Sequence, residues 1–454
     1  MTSQTERTYI NALSIRKNNI KFQPSGLPFG VQVFLFVMLG LILLGGYFSG
    51  GETVLGFLPV PTHTLLAQSL AIILFAMSYN MLLGQGGMLS FGHAVYYGFG
   101  GYAVVYTAYF FEAPFGLQGF NMAPFLPLFG GAMGVILAII LGSFSTRRAG
   151  TVFAMISLGL GQLAYSAAAV FKNFLGGEDG KSFARDENPF FIPFVGETDL
   201  WFYKNETIYL IIAFWFLLSV VLIFLFSRTP AGRLSNAVRD NEERVEFVGY
   251  SMRSVRYLVF IGAGFFAGVA GGMSALAFES TTQSDLSGFY SGVALMAVFV
   301  GGAGFFIGPI LGALIYQFFA QVVPSTLYEL YLGIIFLVMV MFAPQGVAGI
   351  ILMHIAFVKR WGRLVTAYGL ALVMTAIAVF GFVVLAEMLH HVQIAGANNP
   401  KARPLELFSI DTSKVFNWIW SGALFLIGAV GIYLVRKRVN TAWDEAREAA
   451  GGAS

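Results

Sequence analysis

The chain has 454 residues, 57% hydrophobic and only 11% charged, with a mean hydropathy of +0.75; an average soluble domain is about 25% charged, so this is the composition of a membrane protein. A net charge of +3, spread between apolar stretches, gives no footing for nucleic acid. The absence of cysteine excludes disulfides, thiolate catalysis and zinc-thiolate sites, and 54 glycines suit helices that approach closely or break at membrane depth.

Residues 1–28 are polar and carry Arg7, Arg16, Lys17 and Lys21. The apolar run behind them lacks a small-residue cleavage site and is too long for a secretory h-region, so an uncleaved first span is expected. Runs of about 20 apolar residues, enough to cross hydrocarbon as helix, lie near 29–48, 64–83, 90–110, 124–143, 150–170, 207–226, 255–277, 329–348, 366–389 and 416–435. The expected fold class is therefore all-α, a polytopic membrane helix bundle of about ten spans. Segment 291–323 is too long for one span and is interrupted by Gly301-Gly302-Ala303-Gly304 and Gly308-Pro309. These residues break helices, which makes the segment a broken-helix hairpin.

Lys and Arg in short loops stay cytoplasmic. The N-terminus, Arg147-Arg148, the 227–256 loop, Lys359-Arg360-Arg363 and Arg436-Lys437-Arg438 all fall on one side when the hairpin is a there-and-back excursion. Both termini are then cytoplasmic and 171–206 is external. The domain division read from these patterns is a 1–28 cytoplasmic tail, a 29–350 transmembrane core and a 351–454 C-terminal extension with two additional spans.

In FLGGEDGKSF (174–183), Gly180-Lys181-Ser182 imitates the end of a nucleotide-binding P-loop. Gly176 leaves three residues before it where the cradle needs four, and no strand precedes it. A flexible external loop is the better reading.

The 229–249 stretch, TPAGRLSNAVRDNEERVEFVG, reads as one amphipathic cytoplasmic helix. Thr229 caps it, Pro230 fits its first turn and Gly249 its C′ position. Leu234, Val238, Val245 and Val248 form its apolar side, opposite Arg233, Arg239, Asp240, Glu242, Glu243 and Arg244. Lipid-surface helices favour Lys and Arg alone, so the acidic residues favour docking to a soluble partner over lying on the membrane.

No span carries an acidic or basic residue near its centre; Glu279, Glu329 and Glu387 sit at span ends. A proton relay therefore has no obvious residue. Polar residues at depth are few: Ser78, Asn80, Gln85, Ser90, His93, Gln162, Gln317 and Gln321. Candidate pathway or gating residues are Asn80, Gln85, Ser90, His93 and Gln162, with the helix-breaking Gly301, Gly302 and Pro309. For His93 the competing role is a core histidine satisfied by a carbonyl, and for Gln162 it is interhelical glue. No catalytic or metal-ligating constellation emerges, so neither an enzyme nor a cofactor-binding chain is expected. ATP energy would have to arrive through a partner.

Six stretches carry a family resemblance: LLAQSLAIILFAMSYNMLLGQGGMLSFGHAVYYGFGGYA (65–103), TVFAMISLGLGQ (151–162), GGEDG (176–180), SRTPAGRLSNAVRDNEERVEFVGYSMRSVRYLVFIGAGFFAGVAGGM (227–273), VGGAGFFIGPILGAL (300–314) and FAPQGVAGI (342–350). Together they make the chain resemble the permease subunit of branched-chain amino acid ABC importers, LivM type, a family that also handles urea and amides. The resemblance implies a bacterial inner-membrane permease without catalytic activity, paired with a second related permease subunit in a heterodimer. It further implies two cytoplasmic ATP-binding subunits, holding ATP and Mg, docked on 229–249, and an external binding protein that delivers the solute. The family usually ends soon after the motif matched by Phe342–Gly349, so 351–454 departs from it. Two other readings are a self-sufficient ion-coupled carrier and a membrane-embedded enzyme.

Overall fold

The structure is a computed structural model. It describes residues 62–112, 123–148, 150–184, 204–323, 325–356, 361–395 and 409–451, together with 53–54, 58–59, 189–192, 196–201, 401–402 and 404. The first expected span, 29–48, lies outside the described residues. So do Lys359 and Arg360, the whole N-terminal tail and the last three residues.

The chain divides into two compact units, residues 1–315 with 344–348, and residues 316–343 with 349–454. In the first unit the long helices are α1 (His63–Asn80), α2 (Ala94–Glu112), α3 (Leu126–Ser145), α4 (Gly150–Val170), α5 (Asn205–Arg228) and α8 (Met252–Phe278). Between α5 and α8 lie two short helices, α6 (Pro230–Asp240) and α7 (Glu242–Phe247). After α8 come α9 (Gly288–Gly301) and α10 (Gly308–Val322), which runs on into the second unit.

Helix α8 is the centre of this unit, buried along most of its length against α1, α2 and α3. The glycines explain how the backbones come so close. A Cβ on Gly134 of α3 would lie 2.1 Å from the Gly264 carbonyl oxygen of α8, and one on Gly271 would lie 1.8 Å from the Tyr97 oxygen of α2. Lipid provides no hydrophobic drive between helices, so this approach, with its many small dispersion gains, holds the bundle together. Tyr96, Phe153 and Phe260 fill the adjoining space edge to face, at centroid distances of 5.5 and 6.0 Å.

The loop suspected of imitating a P-loop is a structural clasp. Lys181–Ser182 pairs antiparallel with Ser280–Thr281, and Phe183 N–H donates to the Glu279 carbonyl at 3.0 Å. Gln283 N–H donates to the Gly177 carbonyl, and its side-chain amide to the Tyr165 carbonyl at 3.2 Å. Within the loop, Gly176 N–H donates to the Lys172 carbonyl at 2.8 Å and Gly180 N–H to that of Gly177 at 3.3 Å.

In the second unit, α11 (Tyr328–Phe342), α13 (Trp361–Ala395) and α14 (Val415–Gly451) are the long helices. Helix α12 (Gly346–Ala356) begins in the first unit. α13 and α14 cross antiparallel and tightly: a Cβ on Gly381 would lie 2.5 Å from the Phe425 nitrogen, and one on Gly428 2.4 Å from that of Ala378. Glu387, expected at a span end, lies within the 368–394 candidate span, accepting from Tyr331 Oη at 2.9 Å and from the Ser325 hydroxyl.

Seven described helices are long and apolar enough to cross a membrane, or eight if α11 and α12, bent by 54°, count as one span. The chain is thus a polytopic helical bundle. The expectation of about ten spans also counted 29–48 and the tyrosine- and glycine-rich α2, which is not among the seven.

Candidate functional site

The predicted single helix over 229–249 is two helices, and this corrects the sequence reading. Thr229 does cap α6, accepting from Gly232 N–H at 3.3 Å with Pro230 in the first turn, and Gly249 does adopt a left-handed backbone at φ +89. The chain breaks at Asn241, which is extended (φ −162, ψ 103) and caps α7 by accepting from Arg244 N–H at 3.0 Å. The resulting elbow folds Val238 of α6 onto Val245 of α7 and Val255 of α8, with Leu234 and Met252 beside them. Val248 is not on this apolar side: it is 73% exposed, next to Phe247 at 88%, with Tyr250 also exposed. Arg233, Asp240, Glu242, Glu243 and Arg244 are exposed as expected.

Two charges bind the elbow to the bundle. Glu242 pairs with Arg256, an otherwise buried cation in the first turns of α8. Arg239 pairs with Asp240 at 2.9 Å and donates Nη1 to the carbonyl of Gly84. Its stem also lies against Gly87, where φ is +65 and a Cβ would meet Arg239 Cγ at 2.9 Å.

Gly84 belongs to a second irregularity. Beyond Asn80, α1 continues as a π-helical turn over Met81–Gln85, a conformation frequent at functional sites. The segment after it is held by serines of other helices: Phe91 N–H donates to Ser157 Oγ of α4 at 3.0 Å, and Ala94 N–H to Ser291 Oγ of α9 at 2.9 Å. Backbone freed at membrane depth is thereby satisfied within the protein.

The α9–α10 hairpin contributes a third. Gly302 ends α9 with φ +113, a backbone that side chains resist. Gly346, at φ +68, presses on it so closely that a Cβ there would sit 2.3 Å from the Gly302 nitrogen. The hairpin tip meets the α1 break, since a Cβ on Gly84 would stand 2.2 Å from the Ala303 oxygen and 2.1 Å from Asn80 Oδ1. Elbow, π-turn and hairpin tip therefore converge on Gly84.

The sequence-predicted residues divide accordingly. Asn80, Gln85, Gly301 and Gly302 lie at this convergence, and the side-chain oxygens of Asn80 and Gln85 are buried without a hydrogen-bond partner among the described residues. Pro309 is buried in the first turn of α10. Ser90 and His93 are enclosed: His93 Nε2 bonds Ser78 Oγ at 2.9 Å, and its ring stacks on Phe75 at 5.3 Å with Tyr79 at its edge. Gln162 stands apart, exposed on α4. Sequence reasoning missed the Arg239–Gly84 contact, which spans 155 positions and leaves no local signal.

The basic groups of the first unit share one end of the bundle with the elbow. Arg253 Nη2 and Arg147 Nε both donate to the Ser143 carbonyl, at 3.3 and 3.0 Å. The 171–183 clasp is tied to the opposite end of α8. Among the described residues no group of His, Asp and Glu side chains is arranged to hold a metal.

A multi-span bundle packed on glycine, with broken helices gathered under a polar elbow at one end, is the architecture of a membrane transport permease. The chain belongs to the family described as branched-chain amino acid transport system permease component, whose pattern matches residues 62–344. It is similar to the high-affinity branched-chain amino acid transport system permease protein LivM of Escherichia coli (strain K12), 24% identical over 332 residues, covering 69% of this chain and 74% of that protein. The LivM protein of Salmonella typhimurium (strain LT2) is 23% identical over 308 residues, covering 64% of this chain and 69% of its own. No solved structure matches the chain. Helices α13 and α14 lie beyond the family match.

Proposed function

We propose that this chain is the membrane half of an ATP-driven ABC importer for branched-chain amino acids or a similar small polar solute, in a bacterial inner membrane. The observation that carries the reading is the Arg239 latch. An elbow that presents exposed charges and an apolar tip of Phe247, Val248 and Tyr250 is fastened by one guanidinium to the point where two broken helices meet. Cytoplasmic ATP-binding subunits, with ATP and Mg of their own, push on the elbow. The push reaches Gly84 and the hairpin tip through Arg239 and shifts the gate. A second permease chain completes the pathway, and an external binding protein delivers solute to the end that carries the 171–183 clasp. The end of the first unit that carries the elbow is cytoplasmic by its basic residues, and the Lys and Arg content of the loops assigns both termini to the cytoplasm.

Purification of the tagged chain from its native membrane tests the reading. An ATP-binding subunit and a second permease are expected to come with it, and uptake in proteoliposomes is expected to require ATP and all subunits. Uptake by this polypeptide alone, driven by a sodium or proton gradient, would overturn it.

A further inference from the structure

We infer that the outward face of α4 around Gln162 lines the solute pathway, closed from the far side by a second permease chain; this rests on the permease reading above. Thr151, Met155, Gly159, Gln162 and Ser166 follow one another at three- and four-residue spacings, which places them on one helix face, and all are exposed. Gln162 sits two residues past the middle of Gly150–Val170, about 3 Å along the axis. Its amide has no hydrogen-bond partner among the described residues, and Gly159 beside it faces open space. A bare carboxamide at that depth cannot rest in hydrocarbon without leaving its donors and acceptor unsatisfied.

The neighbouring helix shows what a lipid face looks like in this protein. The exposed residues of α3 include Leu128, Ile136, Ile139, Ile140 and Phe144, all apolar. Helix α4 also exposes apolar residues, Met155, Leu158 and Leu163 among them, but unlike α3 it sets an amide, Gln162, in their midst, with Thr151, Gly159 and Ser166 in the same stripe. Its opposite face holds the broken segment, through Ser157 and the close approach of Gly161 to Gly92. The stripe is therefore one helix away from the irregular backbone after α1.

Within this chain the 29–48 segment cannot satisfy the amide, because after Gln32 it is apolar as far as Gly46. A second permease chain can, with water and solute between the two. An amide that both donates and accepts suits a zwitterion, whose carboxylate needs donors and whose ammonium needs acceptors.

The chain has no cysteine, so single thiols can be placed without background. Gly159→Cys, Gln162→Cys and the control Ile140→Cys would be made in the full-length chain within its assembled transporter, in native membranes. Each would be exposed to a charged, membrane-impermeant methanethiosulfonate. Because the reactive species is the hydrated thiolate, positions 159 and 162 are expected to react at least roughly tenfold faster than 140. A benzophenone amino acid in place of Gln162 is expected to cross-link, on illumination, to a second permease chain identified by its peptide masses. Equal slow labelling at 162 and 140, or cross-links only to lipid or to residues 29–48 of the same chain, would overturn the inference. ATP-driven uptake by the unlabelled variants reports separately on the permease reading, which can fail or stand whatever the labelling pattern.

Discussion

Arg239 satisfies three demands with one side chain: it pairs with Asp240, caps the Gly84 carbonyl and packs over Gly87. A lysine would keep the charge but lose the planar fork that serves the first two together. Arg239→Lys is therefore expected to leave the ATP-binding subunit attached and hydrolysing while solute uptake falls roughly tenfold, the loss of about 1.4 kcal/mol of coupling. Uptake and hydrolysis measured on the same proteoliposomes check this, and a proportional fall in both would deny the latch its transmitting role. At the opposite end, Asp285 accepts from the Thr282 N–H at 2.8 Å in the capping box beside the clasp. Burial lifts its carboxyl above the usual carboxylate range, against the hydrogen bonds from Thr282 and Tyr290 that favour the charged form. A raised acid stabilises the fold below its ordinary pKa and loses that contribution as pH climbs through the raised value. Asp285→Asn, fixed in the neutral form, should therefore melt with the native chain near about pH 4 and above it near about pH 7. Scanning calorimetry at both pH values reads the difference.

At the level of elements, the elbow shows how a correct residue pattern can be given the wrong geometry. Its caps and its Leu234, Val238 and Val245 positions follow helical spacing, yet Asn241 separates two helices. The sign was present: an Asn followed by Glu242 and Glu243 is a helix start, with acidic residues where the N-terminal dipole favours them. It was masked because the apolar spacing continued across the break. The consequence is testable. Val245→Asp buries a charge between α6, α7 and α8 and should destabilise the fold by about 2–5 kcal/mol. Phe247→Asp, at the exposed tip, should leave the melting temperature unchanged and detach the ATP-binding subunit. Co-purification with Phe247→Asp at native level would move the docking surface elsewhere.

Across the whole molecule, the family match ends at residue 344, while α13 and α14 form a further antiparallel pair joined to α11 through Tyr331 and Glu387. This pair is proposed as a peripheral brace. A stop after residue 360 is expected to lower thermal stability, because Tyr331 and Ser325 lose Glu387, while assembly and uptake persist. Intact assembly with abolished uptake would assign the extension a direct part in transport.

The helical bundle, most span positions, the broken α9–α10 hairpin and the polar content of the elbow were all legible in the sequence, because each is set by local chemistry. A helix must be apolar for about 20 residues to cross hydrocarbon, and glycine and proline break it wherever they fall. Only the tertiary structure decided which polar residues meet. His93 and Gln162 read alike in sequence as single polar groups at depth, yet one is walled in by Phe75 and Tyr79 and the other stands open on α4. The Arg239–Gly84 contact was equally invisible, since a carbonyl freed by a π-turn has no residue type to announce it. Facing and long-range pairing depend on how whole helices pack, and in this protein that packing is governed by glycines, whose partners are backbone atoms of any residue.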